Sequence, residues 1–172
     1  MVNLIAHSLA VKIKSIVPEH PRSVEVLRYS ISFLLNAFFT TLFTFIVSLT
    51  TGRVVEAIIV MCGFAFLRQL SGGYHLKSGS LCILVTTVIF TLLSLLSFER
   101  HITYILIIAA AVLALIYAPS GIEKQTRIPT KYFPLLKIAT VVVVLLNIFF
   151  LSNSIAAAFF FQCLTLIKVR RS

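Results

Sequence analysis

Three observations predict an all-α integral membrane protein. Of 172 residues, 59% are hydrophobic and only 12% charged, against about a quarter charged in soluble domains. Apolar runs recur over 30–50, 54–67, 81–98, 102–118, 135–151 and 155–167, several of them near the roughly 17–25 residues that a spanning helix needs. None shows the strict alternation of a barrel strand, and a hydrocarbon core forces backbone polar groups to pair within each segment. The expectation is one polytopic domain over residues 1–172: an interfacial amphipathic helix over 1–17, then a transmembrane bundle of five or six helices over 28–171.

The N-terminal segment lacks the long apolar stretch and small-residue cleavage site of a signal peptide. Val2, Ile5, Leu9, Ile13 and Ile16 recur at helical spacing, with Asn3, His7 and Lys14 on the other side, a pattern that fits a helix lying in the membrane interface. Pro18 and Pro21 end it and bracket a short linker. The last two apolar runs are separated only by Ser152, Asn153 and Ser154, so residues 135–167 read as two helices or as one long broken one.

A formal charge of +10 raises the question of nucleic acid, and its distribution answers it. With six spans, one side holds Lys12, Lys14, Arg22, Arg28, Arg68, Lys77, Lys124, Arg127, Lys131, Lys137, Lys168, Arg170 and Arg171, leaving Arg53 and Arg100 opposite. Short loops so biased follow the positive-inside rule, which puts both termini and the break at 68–82 in the cytoplasm. Orientation in a lipid bilayer accounts for the charge without nucleic acid.

That break reads "RQLSGGYHLKSGSLC". Gly72 and Gly73 can close one helix, and Ser78 or Ser80 can cap the next, which sets Cys82 near a helix start where unpaired N–H groups stabilise a thiolate. His75 can meet Cys82 if the loop folds back, and serve as its base. Zinc is a poor reading of two ligands, and no cofactor is expected. Cytoplasmic thiols stay reduced, so three cysteines do not make a disulfide framework. Cys62 and Cys163 read as small apolar fillers. The chain contains no Asp, so a His75–Cys82 dyad is the simplest arrangement, with Gln69, Asn36, Asn147 or a backbone carbonyl available to orient His75.

Arg68, Gly73, His75 and Cys82, at these spacings, resemble the active-site pattern of the accessory gene regulator protein B family. The likeness extends to chain length, the amphipathic start, the spans and a later "YAPSGIEKQTRIP" over 117–129. The resemblance implies a membrane cysteine endopeptidase that processes autoinducing-peptide precursors in Gram-positive quorum sensing. Cys82 would be the nucleophile and His75 its base, with Arg68 and Gly73 supporting. Two departures bear on which peptide is recognised. Lys124 is followed by Gln125, with proline only at Pro129, and Ser120 and Gly121 stand where an acidic residue often follows Ala118 and Pro119.

The implied substrate is a small pro-peptide with an amphipathic leader and an acidic tail, released as a cyclic thiolactone or lactone. Arg68, Lys77, Lys124, Arg127 and Lys131 form a field that can attract such a tail, and Arg68 can grip a carboxylate bidentately. Gln69, Lys77 and Ser78 complete the candidate supporting and substrate-binding set. A homodimer suits so few spans, but nothing in the sequence demands one. The rival readings are a small transporter component, disfavoured because Glu56, Glu99 and Glu123 sit near span ends, and a non-enzymatic scaffold.

Overall fold

The computed structural model describes residues 2–19, 21–74, 78–121 and 129–169, with side chains through 167. The described residues form seven α-helices: α1 Val2–Ile16, α2 Val24–Thr51, α3 Val54–Ser71, α4 Gly79–Leu95, α5 Arg100–Tyr117, α6 Phe133–Phe150 and α7 Asn153–Val169. A 3-10 turn at Thr130–Tyr132 leads into α6. The segments α2, α3, α5 and Thr130–Phe150 are long and apolar enough to cross a membrane, while α4 and α7 are shorter apolar helices. The protein is an all-α membrane protein.

Helix α2 starts earlier than the apolar run suggests. Ser23 caps it by accepting the Val26 N–H at 3.4 Å, and Glu25 sits in the first turn, where a carboxylate favours the helix dipole. Helix α1 folds back along this first half of α2, and Ser32 Oγ donates to Asn3 Oδ1 at 3.1 Å. The contact face of α1 is Val2, Ala6 and Ala10, whose small side chains permit close approach. Ile5, Leu9, Ile13 and Ile16 stay exposed. Val2 is therefore separated from the apolar stripe to which sequence spacing had joined it.

Helix α7 lies between α3 and α5 and packs along both. The core there is built from Leu67, Ile107, the alanines 110, 111 and 114, Ala156, Phe159, Cys163 and Leu166. Small residues at such contacts let backbones approach without a solvent-driven hydrophobic effect. Cys163 is fully buried, as expected of a filler.

The chain between α6 and α7 is a true break. Leu151 takes a left-handed conformation with φ 48°. Asn147 Nδ2 donates to the Ser152 carbonyl at 3.1 Å, and the Ser152 N–H donates to Asn147 Oδ1 at 3.2 Å. Residues 135–167 thus form two helices. Asn153 ties this end to the α4–α5 connection, donating to the Phe98 carbonyl at 3.1 Å and accepting from Thr103 Oγ1 at 2.6 Å.

Candidate functional site

At the opposite end, helix ends and loops converge. Helix α3 closes at Ser71, with Gly72 at φ 74° and Gly73 at φ 125°, conformations that favour glycine. The two glycines then run beside the segment after α5. The Ser120 N–H donates to the Ser71 carbonyl at 2.9 Å, and the Gly73 N–H donates to the Ser120 carbonyl at 2.9 Å, forming a parallel bridge. Ser120 Oγ donates to the Leu166 carbonyl at 3.3 Å. The Tyr74 N–H donates to the Thr165 carbonyl at 3.3 Å.

A fully buried side chain that the sequence reading missed joins these segments. Gln162 of α7 donates through Nε2 to Ser71 Oγ at 3.0 Å and to the Gly72 carbonyl at 2.6 Å. Its only sequence signal is a lone amide within an apolar helix, where polar side chains tend to bond across helices. Gly73 fits because it has no side chain: a Cβ there would lie 2.6 Å from Thr165 Oγ1 and 3.2 Å from Gln162 Nε2.

Arg68, one turn before the glycines, is turned into the site. Its Nη2 donates to the Tyr74 carbonyl at 2.7 Å, its guanidinium carbon lies 5.8 Å from the Phe64 ring centroid, and it is within electrostatic reach of Cys82. One arm of the fork is thus committed to the loop, where sequence reasoning had assigned the whole fork to a substrate carboxylate. Gln69 is exposed. His75 and Lys77 lie outside the described residues, as do Lys124 and Arg127.

Ser78 is the N-cap of α4 by position, with φ −92° and ψ 116°, but its side chain makes no capping hydrogen bond. Cys82 follows as the fourth residue of that helix and is partly buried. Its N–H donates to the Ser78 carbonyl at 2.9 Å, and its Sγ lies 3.9 Å from Thr86 Oγ1. The thiol therefore stands at the end of the first turn of α4, where the sequence reading expected it.

Of the candidate orienters for His75, Asn147 is at the far end, engaged with Ser152. Asn36 of α2 is at the near end, buried against Gly79 at the start of α4. Among the described residues, no three His, Cys, Asp or Glu side chains gather as metal ligands. Beside Ser120 opens a depression of about 260 Å³ lined by Ala118, Pro119, Phe133, Pro134 and Lys137, apolar with one cation at its wall.

These features define a polytopic helical membrane protein that gathers a thiol, a guanidinium and a glycine turn at one end of its bundle. The chain belongs to the accessory gene regulator B family, whose profile it matches over residues 2–166. It is 32% identical over 120 residues to an AgrB-like protein of Halalkalibacterium halodurans, covering 69% of this chain and 61% of that relative. It is 29% identical over 103 residues to accessory gene regulator protein B of Staphylococcus saprophyticus, covering 58% of this chain and 54% of that protein. The matched stretch thus spans less than two thirds of either relative's length. No solved structure matches.

Proposed function

We propose that this protein is a membrane cysteine endopeptidase that removes the C-terminal tail of a small quorum-sensing pro-peptide and closes the remainder into a ring. The observation that carries the reading is the placement of Cys82 near the start of α4, within electrostatic reach of Arg68, beside a loop braced on three elements whose chain runs on to His75. The Arg68 cation favours a thiolate, and the family match supports the chemistry.

In this mechanism His75 takes the thiol proton and Sγ of Cys82 attacks the carbonyl carbon at the core–tail boundary. The C–N bond breaks, the tail leaves as an amine carrying the proton from the imidazolium, and the core remains as a thioester. An internal Cys or Ser of the core then attacks this thioester, and Cys82 regains its proton. No water is consumed. A site at the membrane surface restricts competing water, and the intramolecular nucleophile has a high effective concentration. The basic side of the bundle faces the cytoplasm of a Gram-positive cell in this reading, attracting an acidic tail, while α1 and the substrate's amphipathic leader share the lipid interface.

Mass spectrometry of a precursor peptide in liposomes tests the proposal. The expected products with wild-type protein are a free tail and a core lighter by one water than its linear acid, and neither appears with Cys82→Ala. Equal processing by the variant overturns the mechanism. No processing by a folded wild-type protein favours the transporter or scaffold readings.

A further inference from the structure

Asn36 is 8% exposed, and its Oδ1 has no hydrogen-bond partner among the described residues. It rests on the first residue of α4: a Cβ at Gly79 would lie 3.1 Å from Nδ2 and 3.2 Å from Oδ1. Ser78, the N-cap residue of α4, makes no side-chain capping hydrogen bond there. Among the described residues, a buried amide without a partner for its acceptor and a helix start whose N-cap side chain makes no capping bond therefore meet at one place, a single turn before Cys82.

Helical side chains lean toward the N-terminus, and residues three apart share a face. Cys82 follows Gly79 by three residues, so its Cα–Cβ bond tilts toward the turn on which the Asn36 amide rests, while its Sγ lies 3.9 Å from Thr86 Oγ1. A buried acceptor without a partner costs stability, and where such a group persists it calls for a cause. Two hydroxyl oxygens, Thr44 Oγ1 and Thr87 Oγ1, are also buried without partners. They lie further along α2 and α4, away from the helix start, so among the described residues it is Asn36 that pairs this condition with the start of the helix that carries the nucleophile.

We propose that Asn36 is a catalytic residue, one whose carboxamide pairs with the substrate backbone at the bond that Cys82 attacks. This rests on the peptidase reading above. An extended residue presents its N–H and C=O on the same side, and a carboxamide matches both: Oδ1 accepts the N–H, and Nδ2 donates to the carbonyl oxygen. When Sγ bonds to the carbonyl carbon, the C=O electron pair moves onto that oxygen and is held by the Nδ2 N–H. The pair returns as the C–N bond breaks and the tail departs as an amine, protonated by the imidazolium. The donor thus acts where negative charge develops, and removing one donor of this kind lowers kcat by about 10²–10³-fold.

The test uses the full chain in liposomes and the precursor peptide that wild-type protein processes. Asn36→Leu keeps the volume and deletes both hydrogen-bonding atoms. Three results are expected together: tail release slower by about 10²–10³-fold in kcat with KM nearly unchanged, iodoacetamide alkylation of Cys82 at the wild-type rate, and a melting temperature no lower than wild type. The last follows because an apolar isostere relieves the unpaired amide. Asn36→Ser, which retains a hydroxyl donor in a smaller side chain, should fall between and guards against a Leu variant that misfolds. Tail release by Asn36→Leu within threefold of wild type overturns the proposal. So does a loss matched by slower alkylation or a lower melting temperature, since either makes Asn36 structural. Failure of the peptidase reading looks different: wild type and Cys82→Ala then release the same amount of tail.

Discussion

Gln162 Nε2 stands 2.6 Å from the Gly72 carbonyl and 3.0 Å from Ser71 Oγ, bonding residues on α7 to the end of α3. One amide thereby fixes the backbone that leads toward His75. Replacing Gln162 by Leu leaves the partly buried Gly72 carbonyl without this bond, which costs about 1–3 kcal/mol. We expect a lower melting temperature and a fall in tail release of at least tenfold, larger in kcat than in KM, measured by thermal unfolding and progress curves in the same liposomes.

Gly73 tolerates no side chain. At φ 125° an added Cβ would also lie 2.6 Å from Thr165 Oγ1. Gly73→Ala should cost about 1–3 kcal/mol from the backbone alone and more from the collision. Adding Thr165→Ala removes the hydroxyl but not the backbone strain, so the double variant should recover stability only in part. Full recovery in a denaturation series would place the whole cost in the collision.

Arg68 presents one arm of its fork to the Tyr74 carbonyl and its charge to Cys82. Lysine keeps the charge but not the fork. At one fixed pH, Cys82 should be alkylated several-fold more slowly in Arg68→Gln, and at an intermediate rate in Arg68→Lys. Equal rates in all three proteins, read by mass spectrometry of the labelled peptide, would remove the guanidinium from the thiol's environment.

The three cysteines should separate by reactivity. Cys163 is fully buried in the contact of α3, α5 and α7, Cys62 is exposed on the side of α3, and Cys82 is partly buried at the helix start. A water-soluble alkylator should modify Cys82 first, Cys62 slowly and Cys163 only on unfolding. Cys163→Ala should lose about 1–2 kcal/mol of stability as a cavity and still process the peptide.

Asn153 provides a contrast at the other end of the bundle. Its two hydrogen bonds join the start of α7 to Phe98 and Thr103. Asn153→Ala should destabilise by about 1–3 kcal/mol and leave kcat and KM unchanged wherever the protein is folded. A kinetic defect in stable Asn153→Ala protein would show that the two ends are coupled.

The membrane class, the helices and the break at residues 68–82 were legible in the sequence because apolar run length, glycine and charge placement act locally. Cys82 near a helix start was legible for the same reason. Local signals were weaker where turns are compressed: the α6–α7 break depends on Asn147 folding its amide onto Ser152 and on a left-handed Leu151, neither of which has a periodic signature. The sequence also overextended the apolar face of α1, because helical spacing does not reveal which neighbour will cover which stripe.

The sequence by itself determined what kind of protein this is and which residues carry its candidate chemistry. Only the tertiary structure decided what holds them. It brought Ser120, Gln162 and Thr165 onto the glycine turn, turned Arg68 toward the Tyr74 carbonyl, sent Asn147 to the far end and set Asn36 against Gly79. Hydrogen bonds between distant segments depend on the rotation and depth of each helix in the bundle, and those are set jointly by all the packed faces. A single polar residue in an apolar run therefore announces that it needs a partner without saying where the partner is.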